Sequence, residues 1–249
     1  LSNSDKIEDK IEHHIQISSI YYNLPDSALV HLSKSLEMAK KLDDEKLITD
    51  AFYAHMDIVY QYPKLPICDA ILTEFVQFSK SITDTNQILV ALIYKGLWYK
   101  NLKEPDNAIS IYKEGLKYAE NWSNQEKKTG RLSTLYQNMS SAYRDNNNYE
   151  AGLDCLFKSL ELNQTRNDSL AISHSYSNIA IYYGRFKLLE SSKEYHEKAL
   201  AILEELEYNS LLAAEYSNLA QAYIELEQFD EVETLLYKAI DLNTEADKT

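Results

Sequence analysis

Three stretches of the chain, written in register, decide its fold. Residues 133–162 read STLYQNMSSAYRDNNNYEAGLDCLFKSLEL, residues 173–202 read SHSYSNIAIYYGRFKLLESSKEYHEKALAI, and residues 213–242 read AAEYSNLAQAYIELEQFDEVETLLYKAIDL. Their starts lie 40 residues apart both times. The fourth, seventh, eighth and eleventh positions repeat as Tyr136, Met139, Ser140, Tyr143, then Tyr176, Ile179, Ala180, Tyr183, then Tyr216, Leu219, Ala220, Tyr223. At 3.6 residues per turn those positions share one helical face, and the small residue among them lets a second helix approach closely. A second small or medium residue follows at Gly152, Ser192 and Val232, and each unit closes on a pair: Ser159 with Leu160, Ala199 with Leu200, Ala239 with Ile240. One helical hairpin cannot bury its apolar face alone, so such units must stack.

This pattern resembles the tetratricopeptide repeat (TPR), whose W-x-x-L-G-x-x-Y opening sits on the first of two antiparallel helices. Here Tyr stands in place of Trp, and the period exceeds the usual repeat of about 34 residues, which longer helices accommodate. Working back from residue 133, weaker copies begin near 9, 50 and 89. Pro25 and Pro105 open second helices, where the first turn needs no donor from that amide. Gly96 and Tyr99 hold the eighth and eleventh positions of the third unit. Unit two is the least regular, with a turn, YPKLP, that carries two prolines. The expected fold is all-α, a right-handed superhelical stack of six helix-turn-helix repeats, twelve helices, forming a single array over 1–249. Residues 1–8 are expected to fray, and the longest linker is expected around 121–130.

Composition agrees with long helices: the 249 residues include only five Gly and four Pro, while the repeat accounts for many of the 20 Tyr. A formal charge of −14 with no basic stripe disfavours nucleic acid and direct contact with an anionic membrane surface. The longest apolar run, Ile88 to Tyr94, is far short of a membrane span. Cys68 and Cys155 fall in different units and are expected to be free thiols. Beyond residue 242 only a short polar tail remains, leaving Leu235, Leu236 and Ile240 without a capping helix. That end is expected to be continued by a further helix or domain in a longer natural protein, or to self-associate.

Catalytic chemistry finds no support. The six histidines are scattered or adjacent, HExxH is absent, and no Gly-rich phosphate loop or G-x-S-x-G occurs, so no metal, cofactor or catalytic residue is assigned. One constellation stands out. Asn138, Asn178 and Asn218 recur at the sixth position, on a face turned away from the packing seam. The TPR resemblance implies that this face lines a concave groove, and that Asn there hydrogen-bonds the backbone of an extended peptide. A side-chain amide suits that task because it donates and accepts. The neighbouring residues Gln137, Ser141 and Arg144, then His174, Ser177, Ile181 and Arg185, then Ser217 and Gln221, complete the candidate groove. Arg144 and Arg185 are local cations that a ligand carboxylate would meet. The alternative is that the Asn belongs to the repeat pattern and faces water.

The expected function is therefore a non-enzymatic module that binds a protein or peptide segment. The opening YYNLPDSALVHLSKSLEMAKKLDDEKL followed by units of about 40 residues is similar to the TPR sensor regions of bacterial membrane-anchored histidine kinases and helix-turn-helix regulators. That resemblance implies an extracytoplasmic, periplasmic array ahead of a membrane span and a signalling domain. The alternative is a cytoplasmic TPR peptide-receptor regulator or scaffold whose effector domain lies outside this stretch.

Overall fold

The computed structural model describes residues 3–246, all of whose regular structure is helical. Six hairpins follow one another. They are α1 (Asn3–Ile20) with α2 (Pro25–Leu42), α3 (Glu45–Gln61) with α4 (Cys68–Ser81), and α5 (Thr85–Asn101) with α6 (Pro105–Glu120). Then come α7 (Gln125–Asp145) with α8 (Tyr149–Thr165), α9 (Ser169–Arg185) with α10 (Leu189–Glu205), and α11 (Asn209–Glu225) with α12 (Val232–Ala246). The twelve helices and the absence of strands among the described residues agree with the periodicity. The chain forms two compact units that divide after Trp122, three hairpins in each.

Helix starts are set by short polar caps. Asp44 accepts from the Leu47 amide at 2.9 Å, Asp84 from Asn86 at 2.8 Å, and Asp168 from Ala171 at 3.1 Å. Each such cap is worth about 0.5–2 kcal/mol because it satisfies an amide that the helix itself leaves unpaired. Two expectations are corrected here. Of residues 1–8, residues 3–8 are helical, since α1 begins at Asn3, and residues 1 and 2 lie outside the described residues. The long linker around 121–130 shrinks to 121–124, because Asn124 accepts from the Lys127 amide at 3.0 Å and starts α7 there, carrying Gly130 inside a 21-residue helix. The proline-bearing turn after α3 is long as expected, running from 62 to 67.

In the first unit the core is aliphatic and aromatic: Ile11, Leu32, Phe52, Leu72, Phe75, Leu89 and Leu92 are sealed, with Phe52 and Phe75 stacked at 4.8 Å. Gly96 makes room for Tyr112 of α6, whose ring carbon would stand only 2.2 Å from a Cβ added at that glycine. The second unit repeats the theme. Ala180 and Ala220 are fully enclosed, as the close-approach positions require. Gly152 of α8 admits Tyr182 of α9, whose hydroxyl donates to the Ser140 carbonyl of α7 and accepts from the Ser140 hydroxyl at 2.8 Å. Tyr182 thus ties α9 to α7 across the repeat. Both cysteines are buried, and neither is in a disulfide.

Candidate functional site

The candidate groove residues sit on three neighbouring first helices of the second unit. Within α9 the buried row is Ser175, Ile179 and Tyr182, facing α8, while Ser173, Tyr176 and Ala180 turn towards α10. His174, Ser177, Asn178, Ile181 and Arg185 occupy the remaining arc: Arg185 and His174 are exposed and the other three half-buried. On α7, Gln137, Asn138, Ser141 and Arg144 are half-buried. On α11, Ser217 and Gln221 are exposed and Asn218 is half-buried. These residues share the arc of each first helix that is not in the buried rows.

The three asparagines are not equivalent. Asn138 donates its amide to the Thr134 carbonyl of its own helix at 3.0 Å, so one of its two N–H donors is spent locally. Asn218 makes a long contact of 3.5 Å with a Glu215 carboxylate oxygen. Asn178 has no protein partner, and its amide atoms are not sealed: among the described residues the one sealed polar side-chain atom without a partner is the Tyr112 hydroxyl. Arg144 donates to the Ser141 hydroxyl at 3.3 Å, Ser217 to the Ala213 carbonyl at 3.0 Å, and Gln221 to Glu225 at 3.3 Å. The Arg185 guanidinium forms no ion pair among the described residues.

A cavity of about 390 Å³ opens where α9, α10 and α11 meet. Ile181, Arg185, Asn218 and Gln221 line it, and so do Lys187 and His196, which the pattern of the repeat did not single out. Lys187 stands 3.5 Å from Glu225 across its mouth. Beneath it lies a buried polar cluster. His196 Nδ1 is 2.7 Å from Glu215 Oε1, with side chains 5% and 4% exposed, and Ser177 donates to Glu215 Oε2 at 2.8 Å. A carboxylate buried so deeply is tolerable only with several donors, and it has them from α9, α10 and α11. His196 thus turns Nδ1 to the carboxylate while its side chain also borders the cavity. Ser177 is thereby drawn out of the groove and into the seam between repeats. The clue was present in the sequence: His196 stands where the preceding unit has Leu156, and Glu215 where it has Ser175.

Among the described residues no group of three His, Cys, Asp or Glu is placed to hold a metal ion, and no helix is long and apolar enough to cross a membrane. Family models described as tetratricopeptide repeat match residues 133–166, 173–207 and 216–245. No curated protein matches the sequence significantly. Among solved structures, BtubC from P. vanneervenii is similar at 15% identity and a TM-score of 0.69, covering 98% of this chain and 93% of that one. The STAND signal-transduction ATPase with a tetratricopeptide repeat sensor from Pyrococcus horikoshii is similar at 18% identity and 0.74, over 96% of this chain and 36% of that one. Aspartyl phosphate phosphatase F from Bacillus subtilis is similar at 12% identity and 0.73, over 99% and 76%. At such identities the likeness is one of fold. The tetratricopeptide-repeat matches fall on the hairpins α7–α8, α9–α10 and α11–α12, and the twelve helices match those of TPR-like solenoid proteins.

Proposed function

We propose that the second unit binds an extended protein or peptide segment along the exposed arc of α7, α9 and α11. The observation that supports this reading most is the uncommitted chemistry at its centre. Asn178 offers an unpaired amide and Arg185 an unpaired guanidinium, about two turns apart on α9, beside the cavity that Ile181, Asn218 and Gln221 share. An amide meets a peptide unit with one donor and one acceptor, Arg185 suits a carboxylate, and Ile181 gives an apolar side chain somewhere to rest. Such a module transduces a signal only through what it is joined to. A sensory or regulatory setting, in either compartment, is the context we favour on the strength of the repeat architecture and the sensor and regulator proteins that share its fold.

The test is a peptide array screened with the intact chain, followed by calorimetry of the best binder on variants. Asn178→Ala with Asn218→Ala should weaken binding about 5- to 150-fold, the worth of two net hydrogen bonds. Asn138→Ala should do less, because its amide already serves Thr134. Thermal stability should stay within about 0.5 kcal/mol in both variants. Equal affinity for the wild type and the double variant would sink the proposal.

A further inference from the structure

The first hairpin brings two histidines together. His14 of α1 and His31 of α2 are 17 residues apart in the chain, yet their Nδ1 atoms face each other at 2.9 Å, with ring centroids 5.2 Å apart. The pattern of the second helices shows what this place usually holds. With Ala28, Gly152, Ser192 and Val232 in register, His31 stands where the later hairpins have Cys155, Tyr195 and Leu235. Cys155 is buried, Leu235 is buried against α11 although the sequence places it at an open end, and Tyr195 packs on Tyr176 and Tyr183. A place in the seam given elsewhere to thiol, aliphatic or aromatic groups is here an imidazole, and the helix opposite answers it with a second one. Both rings are half-buried, so an ion from solution can reach them.

Two neutral imidazoles this close share one proton, one Nδ1 donating and the other accepting. When each ring instead carries its proton on Nε2, both Nδ1 lone pairs are free, and a cation can take the place of the shared proton. Spacing decides which cation. Metal–imidazole bonds are about 2.0–2.1 Å, so two such ligands stand about 3.3 Å apart at the tetrahedral angle and about 2.9 Å apart at a right angle. The observed 2.9 Å suits the right angle, the preference of Cu²⁺ and Ni²⁺ rather than of Zn²⁺. Each ring must turn so that both lone pairs meet at one point beside the line joining the nitrogens, which half-buried side chains permit.

The surroundings set the ligand count. Tyr21 lies nearly parallel to the His31 ring at 5.8 Å and covers one of its faces. His13 sits about 100° further round the helix than His14 and turns its Nδ1 to the Asp9 carbonyl at 2.8 Å, so it is no third ligand. The Lys34 ammonium is near enough to act on His14 and opposes a cation there. We propose that His14 and His31 form a two-imidazole site for a divalent ion of tetragonal preference, Cu²⁺ foremost, with water in its remaining positions. The ion would pin α1 to α2. This site belongs to the first unit and stands without the groove.

The probe is the ion alone, titrated into the intact chain at neutral pH against a weak competing chelator. Cu²⁺ should bind saturably, and its electron spin echo should carry modulation from the remote nitrogens of two imidazoles. Ni²⁺ should bind at least as tightly as Zn²⁺, because a right-angled pair denies zinc its tetrahedron. His14→Gln and His31→Gln should each weaken Cu²⁺ binding by about tenfold or more, since losing even a group that only supports a ligand costs about 10- to 100-fold. His13→Gln should leave it unchanged, and Lys34→Gln should tighten it several-fold. Ni²⁺, which does not oxidise the thiols, should raise the melting temperature of the wild type and of neither ligand variant. The echo is read on the wild type and so does not depend on how a variant folds. Absence of saturable binding would overturn the proposal and leave the pair a plain hydrogen bond. Binding retained in both ligand variants would overturn it by placing the ion elsewhere, and so would echo modulation from a single imidazole.

Discussion

Tyr112 shows how a single residue is forced by its neighbours. Its ring fills the space left by Gly96, and its hydroxyl is sealed without a partner, so burial holds the phenol well above the ordinary tyrosine range. An orphaned buried hydroxyl costs about 1–3 kcal/mol. Tyr112→Phe should therefore raise stability by about 1 kcal/mol, read from thermal melts; a lower melting temperature would show that the hydroxyl is satisfied. Tyr182, equally buried, is the contrast, since Ser140 answers it with both carbonyl and hydroxyl. His55 carries a pH signature. Burial pulls its imidazole below the usual histidine range, against the opposing effect of the Nδ1–H that it donates to the Ala51 carbonyl at 2.7 Å. The folded protein thus keeps His55 neutral where the unfolded chain would protonate it. Stability from this residue is complete above about pH 6.5 and falls as the pH drops from there towards the folded value. Melting temperature should decline between about pH 7 and 5, and His55→Gln should flatten part of that slope. An identical slope in the variant would assign the pH dependence elsewhere.

Helix ends follow a rule that the composition conceals. Asn147, Lys187 and Glu227 close the first helices of the second unit with positive φ, and Asn167 and Glu207 close the second helices. Asp43, Thr83 and Lys103 do the same in the first unit. Each turn reverses the chain in the left-handed region, yet none uses glycine, the residue that enters it without steric cost. Thr83 is the most strained, because a β-branched side chain crowds φ 55°. Relief of about 1–2 kcal/mol there outweighs the chain entropy that glycine adds, about 0.5–1 kcal/mol. Thr83→Gly should therefore raise the melting temperature modestly, whereas an unchanged or lower value would mean that the turn tolerates threonine. These endings were hard to read beforehand, since the eight positions hold five residue types and the five glycines lie elsewhere.

At the scale of the molecule, each unit owns its core. Phe52, Leu72 and Phe75 close one, while Leu156, Ile179 and Tyr182 belong to the other. Residues 1–122 and 123–249 expressed apart should each give a helical spectrum and a cooperative thermal transition. Residues 123–249 should keep the affinity of the groove. Loss of folding in that fragment would show that the second core depends on the first unit.

What the chain by itself determined is the hairpin and its period. Small residues at Ser140, Ala180 and Ala220 and apolar ones at fixed offsets admit one face of close packing, and periodicity exposes that face directly. The arc bearing Asn138, Asn178 and Asn218 was legible for the same reason, as the face left over. Tertiary structure alone decided which of these amides is spent. Asn138 turns to a carbonyl four residues back, Ser177 is pulled into the seam by Glu215, and Asn178 is left unpaired. The His196–Glu215 pair joins side chains 19 residues apart on different helices. Periodicity says which face a residue is on; only packing says what stands opposite it, because a buried charge is tolerated or not according to the donors that a neighbouring helix brings.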